Sequence, residues 1–125
     1  MADFKATVKY ASRELSGKEK VMLKDTTRCT KLDEATGAGD LVLAPSMYAV
    51  LSIHNDKATP TDYENIIICD EETGDRYITG SPSFMRQFES IWEDMKDETE
   101  PWNIVVYRKE SKNYNGKYFI TCSIM

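Results

Sequence analysis

The chain has 125 residues and a formal net charge of −5 at pH 7, a size that predicts one domain spanning residues 1–125. No apolar run approaches the ~20 residues that a membrane helix needs, and residues 1–10 lack the apolar core of a signal peptide. We therefore expect a cytoplasmic protein without membrane association.

The first third of the chain carries mixed signals. Phe4, Ala6, Val8 and Tyr10 alternate with polar residues, a pattern typical of a half-buried strand. The predicted elements, in chain order, are a strand at 4–10, a turn at Ser16-Gly17, a strand at 18–24, irregular structure over 25–40, and a short strand at 41–44 ended by Pro45.

The rest of the chain gives stronger patterns. The β-branched run at 65–70 predicts a buried strand, and Gly74 in the turn after it is the expected positive-φ position. Ser81 and Pro82 suit the start of a helix whose apolar face carries Phe84, Phe88, Ile91, Trp92 and Met95. The predicted elements are strands at 46–54, 65–70, 76–79, 103–109 and 117–124, a helix at 82–97, and loops at 55–64, 71–75 and 110–116.

From residue 46 onward the predicted order is β-β-β-α-β-β. This order matches the five-stranded Greek-key barrel called the OB-fold, whose strands and connecting loops commonly bind oligonucleotides. The sequence therefore predicts a mainly β fold with one helix, an OB-fold-like five-stranded barrel with an N-terminal β extension. A fold does not establish a function, which depends on the side chains that the strands and loops present.

Charge is strongly segregated along the chain. Residues 1–31 hold eight Lys or Arg against four Asp or Glu, and residues 101–125 hold four against one. The central residues 32–100 hold four against sixteen. If the two basic ends meet in the fold, they form a positive face that attracts phosphates despite the acidic total.

Motifs for catalysis are lacking. The three cysteines, at positions 29, 69 and 122, are too widely spaced for a C-x-x-C motif and are expected to be free thiols. The single histidine, His54, is too little for most triad or metal chemistry, and no Walker or G-x-G-x-x-G motif is present. We expect a protein that is not an enzyme and needs no cofactor or metal.

The segment from 106 to 119 is the strongest local signal for binding, because it interleaves cations with aromatic rings. Single-stranded nucleic acid is bound by this combination: cations neutralise phosphates, and flat rings stack on exposed bases. The alternative is a solvent-exposed hairpin whose tyrosines only cover the end of the barrel. The candidate binding residues are Tyr107, Arg108, Lys109, Lys112, Asn113, Tyr114, Lys117 and Phe119.

Strand phase decides which of these side chains reach the surface. In 117–124 the phase of Tyr118, Ile120, Cys122 and Ile124 is the more apolar and is expected to face inward, whereas the phase of 103–109 is ambiguous. Three further candidates on the preceding strands extend the same surface if they point outward, and pack at the edge of the core if they do not: Tyr48, Arg76 and Tyr77.

Residues 62–88 and 104–124 resemble the small single-stranded DNA-binding proteins of phages and mobile elements of low-GC Gram-positive bacteria. The resemblance is carried by Thr79-Gly80-Ser81 with Phe84, and by Ser111-Lys112-Asn113, Gly116-Lys117 and Phe119, and extends more weakly to residues 16–25. It implies an OB-fold, binding of single strands without sequence specificity, and a role in replication or recombination. Cellular single-strand binders recruit partners through an acidic tail, whereas residues 122–125 fall in a predicted strand, so recruitment would use another surface.

These patterns indicate two alternative functions. The first is coating of single-stranded DNA in phage or mobile-element replication, with replication or recombination proteins as further partners and a homo-oligomer left open. The alternative is a protein-interaction module, or an acidic DNA mimic, that binds a basic host protein through the acidic centre of the chain. The first predicts essential lysines between residues 107 and 117, and the second predicts essential carboxylates on the helix at 82–97.

Overall fold

The computed structural model describes residues 4–110 and 117–125, and these residues form a mainly β fold, as predicted. The strands are β1 (Phe4–Ala11), β2 (Thr30–Lys31), β3 (Leu41–Leu43), β4 (Pro45–Asn55), β5 (Asp62–Asp70), β6 (Arg76–Thr79), β7 (Ile104–Glu110) and β8 (Tyr118–Ile124). The helices are α1 (Gly17–Lys24), α2 (Leu32–Ala35) and α3 (Pro82–Met95), with 3₁₀ turns at Thr26–Arg28 and Thr36–Ala38.

The described strands lie in two sheets. Five strands pair in the order β1-β4-β5-β6-β2, and three pair in the order β3-β7-β8. All pairs are antiparallel except β2 with β6. The predicted barrel of five strands is not closed within residues 4–110 and 117–125, because β6 pairs with β2 and β8 ends the second sheet.

One nearly continuous segment joins the two sheets. Ala44 is the single residue between β3, which pairs with β7, and β4, which pairs with β5. The carbonyl oxygen of Ala44 accepts a hydrogen bond from the Glu71 amide at 2.7 Å. The chain thus passes from one sheet to the other at this corner, a common device for folding strands around a core. Pro45 begins β4 and does not simply end β3 as predicted.

The main core lies between the two sheets and α3. Ser81 caps α3, since its hydroxyl oxygen accepts a hydrogen bond from the Phe84 amide at 3.3 Å, and Pro82 is the first helical residue. The predicted apolar face of α3 is confirmed, with Phe84 and Phe88 fully buried and Trp92 half-buried beside them. The sheets contribute Leu43, Tyr48, Val50, Ile66, Ile68, Ile104, Val106, Ile120 and Cys122.

A second core covers the opposite face of the five-stranded sheet. It contains Leu23 of α1 together with Met47, Ala49, Leu51, Ile53, Ile67 and Ile78. Strand β4 is therefore buried on both faces, with Tyr48 and Val50 turned to the main core and their neighbours to the second. This explains the long apolar stretch in β4, which lacks the alternation of a strand with one wet face.

The prediction of a strand at 18–24 was wrong, because these residues lie in α1. Ser16 and Glu19 form a capping box: the Ser16 hydroxyl accepts from the Glu19 amide at 3.2 Å, and the Glu19 carboxylate accepts from the Ser16 amide at 3.1 Å. Arg13 also pairs with Glu19 and, with these bonds, lowers the pKa of that carboxyl group to about 2. The predicted turn at Ser16-Gly17 is the helix start.

The segment 25–40 is more ordered than predicted. Strand β2 adds to the five-stranded sheet beside β6, and the following turn of helix, α2, buries Leu32 completely in the main core. The hydroxyl of Thr36 donates to the Leu32 carbonyl oxygen at 2.8 Å. This segment contacts both β6 and β7, so it fills the space beside β6 that a fifth barrel strand would occupy.

Candidate nucleic-acid interface

The structure settles the phase of β7. Ile104 and Val106 are fully buried in the main core, so Val105, Tyr107 and Lys109 lie on the opposite side of the strand. The hydroxyls of Tyr107 and Ser123 lie 3.0 Å apart and share a hydrogen bond. Tyr107 is therefore a half-buried surface residue and not a member of the core.

Strand β8 completes this surface. Ile120 and Cys122 are buried as predicted, and the alternate residues Phe119, Thr121 and Ser123 are half-buried on the other side. Tyr118 and Ile124 share the phase of the buried residues but lie at the strand ends, where they are 64% and 46% exposed. We call the set Val105, Tyr107, Lys109, Phe119, Thr121 and Ser123 the outer face.

The pairing of β7 with β8 brings a cation and a ring together on the outer face. Lys109 is directly opposite Phe119, and Tyr107 is directly opposite Thr121. Lys109 and Lys117 are exposed, and neither forms an ion pair within residues 4–110 and 117–125. An aromatic surface edged by unpaired lysines can take both the bases and the phosphates of a single strand.

Arg108 points to the other side of β7, away from the outer face. Its guanidinium donates hydrogen bonds to the Thr36 hydroxyl, at 3.4 Å, and to the Asp33 carbonyl oxygen. Arg108 thereby ties β7 to the segment of α2 and lines a cleft of about 420 Å³. We call this the Asp33 cleft; its lining residues are Asp33, Ser81, Arg108, Tyr118, Phe119 and Ile120.

The structure contradicts a surface role for Tyr48. Its side chain is 3% exposed, and its ring packs against those of Phe88 and Trp92 at centroid distances of 5.2 and 5.3 Å. Burial, and then a hydrogen bond with Tyr10, raise the pKa of the Tyr48 hydroxyl. A ring enclosed in this way cannot stack on a base, so Tyr48 belongs to the core.

Arg76 and Tyr77 also lie apart from the outer face, on β6 of the five-stranded sheet. Arg76 donates a hydrogen bond to the Met22 carbonyl oxygen at 2.7 Å and so fixes α1 on that sheet. Tyr77, half-buried, is paired with Ile68 and packs against the main core. Lys112, Asn113 and Tyr114 lie outside the described residues, so their predicted roles stay predictions.

The basic N-terminal segment belongs to a different sheet from the outer face. Strand β1 pairs with β4, whereas β7 and β8 pair with β3 and with each other. Three cations of this segment form ion pairs, Lys9 with Glu64, Arg13 with Glu19 and Arg28 with Asp25. The expected excess of positive charge on the N-terminal segment is thus partly neutralised within its own surroundings.

Some residues of this region were not named as binding candidates from the sequence. The alternation of β8 placed Thr121 and Ser123 outside once Ile120 and Cys122 were placed inside, and the structure confirms that placement. Asp33, Ser81 and Tyr118 meet in the cleft only through the packing of α2 and α3 beside β8, for which the sequence gives no local signal.

The cysteine side chains are free thiols, and burial raises the pKa of each of them, that of Cys122 to about 12. They are protonated at neutral pH and are poor nucleophiles. Within residues 4–110 and 117–125, no group of three or more His, Cys, Asp or Glu is placed to hold a metal ion.

Comparison of the chain with protein-family models, with curated proteins and with solved structures finds no match. The resemblance to small single-stranded DNA-binding proteins therefore remains an expectation from the sequence. None of the helices in the described parts of the chain has the length and apolar character to cross a membrane.

Proposed function

We propose that the protein binds single-stranded DNA through the outer face and acts, without catalysis, in the replication or recombination of phage or mobile-element DNA. The observation that carries this proposal is the placement of Lys109 directly opposite Phe119 and beside Tyr107 on a solvent-facing sheet. Lysines bind phosphates at any sequence, and aromatic rings stack on any base. The outer face itself is therefore expected to bind without sequence specificity.

The order of elements supports an open, OB-fold-like architecture for this function. The corner segment of β3 and β4 acts as a first strand shared by both sheets, and β5, β6, α3, β7 and β8 follow in the order of that fold. The space beside β6 is taken by β2 and α2. In this proposal β6 pairs with no strand of the second sheet, so the barrel is not closed by strand pairing on that side.

The proposal is tested by fluorescence anisotropy of a labelled oligo-dT of about 15 nucleotides, with a duplex of equal length for comparison. The wild type is expected to prefer the single strand and to bind more weakly at higher salt. The double variant Lys109→Ala, Lys117→Ala removes two phosphate contacts. The slope of log K against log salt concentration should therefore become shallower by about 1.4.

A matched control removes two lysines elsewhere. Lys18 and Lys20 are exposed on α1, so Lys18→Ala, Lys20→Ala changes the net charge equally while leaving the outer face intact. The control should have an affinity for the single strand, and a salt slope, close to those of the wild type. Equal loss in both double variants would mean that only net charge matters, and absence of any preference for the single strand would reject the proposed function.

The alternative function, docking of a basic protein, is favoured by one feature of α3. Glu93, Asp94 and Asp97 are exposed on and just after this helix, opposite its buried apolar face. Under this alternative, Glu93→Lys with Asp94→Lys abolishes partner binding while Lys109 and Lys117 are dispensable. Nuclease treatment during co-purification separates the two functions, since a partner bridged by DNA is lost.

A further inference from the structure

The Asp33 cleft contains two groups that have no structural role of their own. The carboxylate of Asp33 is exposed and forms no hydrogen bond or ion pair with the described residues. Tyr118, which also lines the cleft, is 64% exposed. The cleft volume of about 420 Å³ lies within the range of about 300–1,000 Å³ that is usual for small-ligand sites.

The backbone positions of Asp33 and Tyr118 are held by hydrogen bonds and strand pairing. Arg108 donates hydrogen bonds to the Asp33 carbonyl oxygen and to the Thr36 hydroxyl, which fixes the backbone beneath the carboxylate. Tyr118 lies on β8 in the same phase as Ile120, the residue that is paired with Arg108. Tyr118 and Arg108 are therefore diagonal neighbours on one face of the sheet.

A carboxylate beside a nucleic-acid site discriminates between chemical groups. It repels phosphates and carbonyl oxygens, and it accepts hydrogen bonds from N–H groups. Cytosine carries the N4 amino group where uracil and thymine carry the O4 carbonyl oxygen, and adenine carries the N6 amino group. Uracil and thymine also have a ring N3–H, but that donor lies between two carbonyl oxygens, which the carboxylate repels. Arg108, the cation that lines the same cleft, has two of its nitrogens engaged by the Thr36 hydroxyl and the Asp33 carbonyl oxygen. The Asp33 carboxylate, which is unpaired among the described residues, thus favours bases that carry an exocyclic amino group.

We propose that the Asp33 cleft binds one unstacked base with an exocyclic amino group, which stacks on Tyr118 and donates a hydrogen bond to the Asp33 carboxylate. The cleft and the outer face lie on opposite sides of β8, which ends its sheet, and Phe119 belongs to the outer face and also to the lining of the cleft. The inference rests on the proposed function and adds to it a base preference that the outer face alone does not provide.

The test compares oligo-dC with oligo-dU of about 12 nucleotides at pH 7 and constant salt, using fluorescence anisotropy. At the base edge, cytosine presents an amino group and the N3 acceptor where uracil presents a carbonyl oxygen and the N3–H donor. Wild type should bind oligo-dC about fivefold more tightly or better, as expected for one good carboxylate–amine contact. Asp33→Ala should bring the two affinities together, mainly by strengthening the binding of oligo-dU.

Two further variants make the test specific. Glu34→Ala removes the neighbouring exposed carboxylate, which does not line the cleft, and should raise both affinities equally while keeping the preference for dC. Tyr118→Leu removes the ring and should weaken the binding of oligo-dC severalfold.

The outcomes distinguish the cleft from the outer face. Equal wild-type binding of both oligonucleotides, a dC preference that survives Asp33→Ala, or unchanged dC binding by Tyr118→Leu would overturn the cleft proposal while the proposed function stands. Failure of the wild type to bind either strand would overturn the proposed function and the cleft with it.

Discussion

At the scale of single residues, the protonation of His54 is defined by its contacts. The ring Nδ1 lies 2.8 Å from an Asp62 carboxylate oxygen, and Nε2 lies 2.6 Å from an Asp56 carboxylate oxygen. A neutral imidazole has one N–H and can donate to only one of these carboxylates, whereas the imidazolium donates to both. The hydrogen bonds to Asp62 and then Asp56 accordingly raise the pKa of His54.

This geometry predicts a stability contribution that depends on pH. Because the pKa of His54 is higher in the folded chain, its contribution is complete below the unfolded value near 6.5 and is lost as the pH rises through the folded pKa. An NMR titration of the His54 ring should give a pKa above 6.5 in the wild type and a lower value in Asp62→Asn. A His54 pKa at or below the ordinary value, unaffected by Asp62→Asn, would contradict the hydrogen bonds of His54 to Asp62 and Asp56.

At the scale of elements, α1 shows how a local pattern misleads. Residues 18–24 contain three consecutive apolar residues, of which Leu23 is buried whereas Val21 and Met22 are exposed, so the pattern clearly favours neither helix nor strand. What starts the helix is the pair of reciprocal hydrogen bonds between Ser16 and Glu19. The S-x-x-E spacing was present in the sequence and would have predicted a helix start.

Removal of this cap tests its contribution. Ser16→Ala leaves the Glu19 amide without its side-chain acceptor, and the free energy of unfolding should fall by about 0.5–2 kcal/mol. Urea unfolding followed by circular dichroism measures the change. Ser90→Ala, at an exposed position within α3, is the matched control and should leave stability nearly unchanged. Equal stability of Ser16→Ala and the control would mean that the capping box is not formed.

Other elements could be predicted because their sequence signals lie within a few neighbouring residues. The run Ile66, Ile67 and Ile68 predicts a buried strand, and Ser81 with Pro82 predicts the start of α3. The two-residue strand β2 could not be predicted, because it is held only by pairing with β6. The burial of Tyr48 could not be predicted either, because β4 is apolar on both faces and its alternation does not indicate which residues face the main core.

At the scale of the whole molecule, the charge of a segment does not predict which cations are available. The two basic ends lie in different sheets, and in the N-terminal segment Lys9 and Arg13 are paired with carboxylates. Lys109 and Lys117 are exposed beside Phe119 and unpaired within the described residues. The sequence predicted a basic and aromatic β7–β8 region, but cross-strand pairing decides which of its side chains form one surface.

The most direct measurement of the central claim is a ¹H–¹⁵N NMR titration of the protein with unlabelled oligo-dT. We expect the largest amide shifts on the outer face, at Lys109, Phe119 and Thr121, and unchanged amide shifts for Glu93 and Asp94 on α3. Absence of any shift, or shifts confined to α3, would contradict it.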